Sequence, residues 1–230
     1  MENLIIEGIA VNVQDVQDLN DFGADRIELC ADMEKDGLTP STELIQEAVA
    51  HSDIPVNVMI RPHGDSFHYT SEDVEEMRAS IRTVQECGAA GIVLGCLRES
   101  GVIDERTLEM LLAESGDLDV TFHKAFDAVD DQPAALEVIM RHPKIKTILT
   151  SGGQGPSVKN MGTLKELMAK TRNGLPMIMP GGGLNTENVS QVMDALTPAA
   201  LHFGTGIREG QSYEGRISEK KLLMVKDRDK

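Results

Sequence analysis

Apolar runs of strand length alternate along this chain with longer stretches whose apolar residues recur at helical spacing. The runs cover residues 4–8, 26–30, 56–62, 91–95, 120–127, 147–153, 177–183 and 201–206, and each carries a charged residue, a histidine or a glycine at or near its C-terminal end. Asn12 can cap a helix that carries Val13, Val16 and Leu19 on one face and closes at Gly23. Thr70 can cap another over 71–87, with Val74, Met77, Ile81 and Val84 as its stripe and Gly88 as its stop. Further helices are expected over 42–50, 105–114, 132–141, 159–172 and 186–196, and a short last one over 217–225. Phe22-Gly-Ala-Asp-Arg-Ile-Glu-Leu and Cys87-Gly-Ala-Ala-Gly-Ile-Val-Leu share a Gly-Ala turn into a new strand, a weak internal repeat of one strand-and-helix unit. Strand then helix, eight times, predicts an α/β chain folded as a single (β/α)8 TIM barrel domain over 1–230. Sites in that architecture lie at the C-terminal ends of the strands. A short last helix leaves barrel surface open to a second copy, so a homo-oligomer is expected.

Alternation within the strands separates lining from packing. Val120 and Phe122 alternate with Thr121 and His123, Leu201 and Phe203 with His202 and Gly204, and Ile27 and Leu29 with Arg26, Glu28 and Cys30. Successive strand residues face opposite sides, so if the apolar set meets the helices the polar set faces the barrel axis. Buried charges need partners. We therefore expect Glu28, Arg61, His123 and Asp127 to form one hydrogen-bonded cluster at the C-terminal mouth, with Glu7 beside it. Such a set can do acid/base work of the isomerase or lyase type on a small phosphorylated or carboxylated metabolite. His123 or Glu28 would move a proton, Arg61 would hold the anion bidentately and Asp127 would orient its neighbours. Lys124 has the parity of Phe122 and is expected to point away from His123. A purely structural salt-bridge network is the competing reading of the same residues.

Composition then narrows the partners. Lys and Arg number 22 against 38 Asp and Glu, a net charge of −16, which disfavours nucleic acid and anionic membrane surfaces. A small anionic ligand must therefore be held locally. Glycines at three consecutive strand ends supply a candidate: Gly152 and Gly153 after the sixth run, Gly182 and Gly183 after the seventh ahead of a helix capped by Asn185, and Gly204 and Gly206 after the eighth. Three cysteines make no disulfide framework, no run nears the ~20 apolar residues of a membrane span, and the N-terminal residues have no export pattern. A cytoplasmic protein is expected.

Several of these motifs also carry a resemblance. Gly23-Ala-Asp-Arg-Ile-Glu-Leu-Cys-Ala31, Gly37-Leu-Thr-Pro-Ser41, Ile60-Arg-Pro62, Thr121-Phe-His123, Ala125-Phe-Asp127, Leu149-Thr-Ser-Gly152 and Ile178-Met179 before Gly181 resemble the motifs of the CutC family, named for copper homeostasis. The resemblance implies a cytoplasmic, usually oligomeric (β/α)8 barrel that is associated with copper tolerance and described as copper-binding. It marks Glu7, Glu28, Arg61, His123, Asp127, Ser151 and His202 as site residues. The chain departs from the pattern where Gly8-Ile9-Ala10 replace cysteines found in some members, in the loop His63-Gly64-Asp65-Ser66-Phe67, and at Lys124, usually an arginine. Cu(I) prefers thiolate and thioether donors, which makes Cys30 and Cys96 the candidate metal ligands. They follow the second and fourth strands, which are not neighbours, so copper is expected to bind weakly and mainly through exposed thiols such as Cys96.

Overall fold

The computed structural model describes residues 4–171, 174 and 176–226. All eight expected strands are present: β1 Ile5–Ala10, β2 Arg26–Leu29, β3 Val56–Met59, β4 Gly91–Leu94, β5 Asp119–Phe122, β6 Ile145–Thr150, β7 Met177–Pro180 and β8 Ala200–Phe203. They pair in parallel in the order β7-β6-β5-β4-β3-β2-β1-β8. A single parallel bridge between Gly181 and His202 closes the ring, so the β7/β8 seam is the thinnest part of the barrel wall.

The helices are α1 Val13–Asp21, α2 Thr42–Ala50, α3 Ser71–Glu86, α4 Glu105–Glu114, α5 Gln132–Met140, α6 Met161–Thr171, α7 Val189–Leu196 and α8 Glu219–Lys226. Their starts follow side-chain chemistry. Asn12 Oδ1 accepts the N–H of Asp15, and Thr70 and Asp73 form a reciprocal capping box. Gly23 and Gly88, the stops of the two repeated units, both have positive φ. The expected end of α6 at Arg172 lies outside the described residues. α7 begins at Val189 instead of Thr186, because Asn185 and Asn188 bond each other's backbone N–H groups and hold a turn ahead of the helix.

Alternation along the strands holds. Ile6, Ile27, Leu29, Val58, Ile92, Phe122, Ile148, Leu201 and Phe203 pack outward with helix residues such as Val16, Leu19, Ile81 and Leu108 in one large core. At about 1.5–3 kcal/mol for each fully buried aliphatic side chain, this layer is the main source of stability. Inside the barrel two small apolar clusters remain, Ile9 with Cys30, Met59 and Val93, and Leu149 with Met179 and Ala200. Outside it, fully buried Arg208 bonds both oxygens of Asp15 (3.1 and 2.6 Å) and the carbonyls of Ile9 and Gly215. That pair ties the segment after β8 to the start of α1.

Candidate functional site

A cavity of about 440 Å³ opens at the C-terminal ends of the strands, within the size range of small-molecule sites. Glu28, Arg61, His123, Asp127, Ser151 and His202 all line it. Glu28, Arg61, His123 and Asp127 do so as separate groups. Among the described residues no hydrogen bond joins Glu28, Arg61, His123 and Asp127 to one another, which corrects the expectation of one cluster.

The β1, β2 and β8 wall holds a charge relay running outward. Glu7, fully buried, takes the Arg26 Nε–H on one oxygen and His202 Nδ1–H, at 2.7 Å, on the other. Burial alone would raise its carboxyl, but Arg26 and His202 overcome this and hold it at about 2. Burial likewise works against charge on His202, yet Glu28 and Glu7 raise its pKa. Glu28 lies one level higher, its Oε2 3.6 Å from His202 Nε2 and 3.6 Å from Cys30 Sγ. Its Oε1 is buried without any partner. Burial pushes Glu28 up to about 6, His202 offsets part of that, and the Glu7 charge adds to it.

Arg61 serves the loops above the mouth. Its Nη1 donates to the carbonyls of Lys35 (2.6 Å) and Gly37 (3.1 Å), its Nη2 to Gly64 at 3.4 Å, and the guanidinium lies over Phe67. The expected bidentate hold on a ligand is thus replaced by a clasp between loops 31–40 and 62–69. Asp127 is also committed. Its carboxylate accepts from the Thr150 hydroxyl, the N–H and hydroxyl of Ser151, and Gly153 N–H. The protein's own carboxylate therefore occupies the turn where Gly152 and Gly153 were expected to meet a ligand anion. Gly152 N–H goes to Thr150 Oγ1.

β5 stops at Phe122, and the chain turns into a 3-10 segment at Lys124–Ala128. His123 makes the turn: its Nδ1 accepts the N–H of Ala125 at 3.1 Å, so the neutral ring carries its proton on Nε2, which has no partner. Gly95 leaves room for this ring, since a Cβ there would stand 2.5 Å from Nδ1. Burial and the Arg61 charge lower His123 to about 3. Because strand alternation ends before Lys124, that side chain lines the cavity instead of turning away, and its Nζ lies 3.8 Å from Asp127. Lys124 is the functional candidate that alternation missed; a histidine acceptor followed by a backbone donor two residues later was the available turn signal.

Gly182, Gly183, Gly204 and Gly206 line the cavity on the seam loops. Gly206 has a packing reason as well, since a Cβ there would overlap the Leu184 carbonyl.

Two donor sets could hold a metal. The ligand atoms of Glu7, Glu28 and His202 lie within 4.8 Å of one another, but Glu7 already neutralises Arg26 and His202, whose charges oppose a cation. The second set is soft. Cys30 Sγ and Met33 Sδ both pack against Gly37, 3.4 and 3.5 Å from where a Cβ there would stand, and Cys30, Met33 and Met59 all line the cavity. That donor chemistry fits Cu(I). Cys96 does not join it: this thiol is 1% exposed, does not line the cavity and donates to the Asp104 carbonyl, which corrects the expected exposed thiol.

Residues 4–207 match the family model described as CutC family. A human protein named copper homeostasis protein cutC homolog is 38% identical over 180 residues, 78% of this chain and 65% of the relative, so the chain spans just under two thirds of that protein. A CutC family protein of Enterococcus faecalis is 37% identical, covering 89% of this chain and all of the relative. Among solved structures, a CutC protein from Streptococcus agalactiae superposes with a TM-score of 0.81 at 30% identity, over 87% of this chain and 98% of that one. A phosphoribosylanthranilate isomerase from Pyrococcus furiosus shares the fold, with a TM-score of 0.66 at 16% identity and 98% of each chain covered.

Proposed function

The chain belongs to the CutC family, and from that premise we propose that it serves copper homeostasis by holding Cu(I) at the barrel mouth, on Cys30 with Met33 and Met59. The observation that carries this reading is the gathering of Cys30, Met33 and Met59 on the wall of one cavity, with the Cys30 thiol donating to Glu28. Burial and the neighbouring Glu28 charge raise the Cys30 thiol well above its ordinary range, so at rest it is protonated. Glu28, mostly ionised at neutral pH, is the acceptor for that proton. Cys30 would hold Cu(I) as the thiolate, with Met33 and Met59 as thioether donors, and Glu28 would take the proton the thiol gives up.

Titration of Cu(I) against a chelator of known affinity tests this. The protein should retain one equivalent, lose it in Cys30→Ser, hold it more weakly in Met33→Leu and keep it in Cys96→Ser. Loss of all copper to the chelator, or full retention in Cys30→Ser, would overturn the proposal. A reducing cytoplasm suits the three cysteines, all free thiols. Exposed Leu223 and Met224 on α8 support a homo-oligomer, which light scattering would read directly. Among the described residues no helix is long and apolar enough to cross a membrane.

A further inference from the structure

We propose that the side of this cavity formed by the ends of β5, β7 and β8 is a separate site for a small phosphorylated metabolite, its phosphate held by Lys124 and the seam loops after β7 and β8, its polar body hydrogen-bonded to His123 Nε2–H. The two loops are brought together by the Gly181–His202 bridge that closes the barrel. Gly182 and Gly183, at φ +98° and +71°, take a backbone form that side chains resist. Among the described residues, no protein acceptor takes the N–H groups of Gly182, Gly183, Thr205 or Gly206. Unpaired amides on a cavity wall favour an anion.

Lys124 supplies the charge. Its Nζ hangs over this loop, 3.1 Å from where a Gly182 Cβ would be. Its ion partner, Asp127, is distant at 3.8 Å and already accepts hydrogen bonds from Thr150, Ser151 and Gly153. In a chain of net charge −16, a cation set beside free amides is the local arrangement an anion needs.

His123 is the independent observation. It is 3% exposed, lines the same cavity, and its Nε2–H has no partner. An unpaired buried donor costs about 1–3 kcal/mol, which a ligand oxygen would relieve. With Nδ1 fixed as the acceptor of Ala125 N–H, the ring offers a neutral donor suited to a hydroxyl or carbonyl oxygen. A phosphate at the seam with an oxygen-bearing body reaching His123 describes a sugar-phosphate-like ligand, which the cavity volume accommodates.

Melting temperatures in inorganic phosphate and in ribose 5-phosphate, against chloride at matched ionic strength, test the site. Both should raise the midpoint saturably, ribose 5-phosphate at lower concentration. Lys124→Met should weaken both by about tenfold or more, the scale of one lost charged hydrogen bond. His123→Asn should abolish only the advantage of the sugar phosphate. Equal shifts in wild type and Lys124→Met, no shift with phosphate, or an advantage that survives His123→Asn would overturn the proposal. Copper and phosphate sites fail independently: Cys30→Ser should keep the phosphate shift, and Lys124→Met should keep the Cu(I) equivalent.

Discussion

Arg208 with Asp15, and Glu28 with His202, are two sets of buried charges on one scaffold, and they differ in how directly the opposite charges meet. Outside the barrel, Arg208 meets both Asp15 oxygens and two carbonyls. At the mouth, Glu28 keeps one oxygen without a partner and meets His202 only at 3.6 Å, while His123 nearby keeps a bare Nε2. The first arrangement meets its charge directly with a two-oxygen carboxylate contact and, among the described residues, leaves only the Arg208 Nε without a partner. The second leaves Glu28 Oε1 and His123 Nε2 unsatisfied at the face of a (β/α)8 barrel where ligands bind, which is what the proposed sites rest on. Glu7, Arg26 and His202 fall between: they are paired, and they fix the ionisation of the group above them.

Four variants break or sharpen this contrast. Arg208→Met leaves Asp15 buried and unpaired and should cost about 3–5 kcal/mol, roughly 10 °C in a chain of this size, with Cu(I) retention by the folded protein unchanged. Urea unfolding would read it. A loss below ~1 kcal/mol would erase the distinction between the two sets.

Glu28→Gln should behave oppositely. A carboxyl raised to about 6 in the fold binds its proton more tightly there than when unfolded, so its contribution is most favourable below the unfolded value near 4.5 and is lost as pH rises through about 6. Removing it should leave stability at pH 7 unchanged or higher while weakening Cu(I) binding. The gap between variant and wild type should open between pH 4.5 and 6. Glu7, held at about 2, has the reverse sign: its stabilisation is full above 4.5 and is lost as pH falls towards 2. A Glu28→Gln protein destabilised by ~3 kcal/mol at pH 7 would place Glu28 with Arg208 as a structural charge.

Smaller effects follow. His123→Asn retains an oxygen able to accept the Ala125 N–H, and should cost about 1 kcal/mol in thermal unfolding. Lys124→Met, half exposed, should fall within about 0.5 kcal/mol of wild type while losing its phosphate response.

The barrel was legible because strand alternation and helix caps are local: Asn12, Thr70, Gly23 and Gly88 act within a few residues of themselves. The mouth was legible only as a list of residues. Which groups meet there depends on loops, and four failures of expectation have loop causes. Arg61 is captured by carbonyls of loops 31–40 and 62–69. Asp127 reaches across to the β6 turn, and Lys124 turns inward because β5 ends two residues before it. Cys96, read as exposed, is covered where its thiol meets the Asp104 carbonyl. Met33 opens a 3-10 turn at Met33–Lys35, with left-handed Asp32 and Asp36 at its ends, a geometry that residue spacing alone does not specify.

Copper-edge X-ray absorption on protein loaded with one equivalent of Cu(I) tests the sulfur-lined mouth most directly. The expected spectrum has a first shell dominated by sulfur, and Cys30→Ser should lose sulfur scatterers or fail to load, while Cys96→Ser should match wild type. A shell of nitrogen and oxygen alone, or a wild-type spectrum in Cys30→Ser, would contradict copper binding at this mouth.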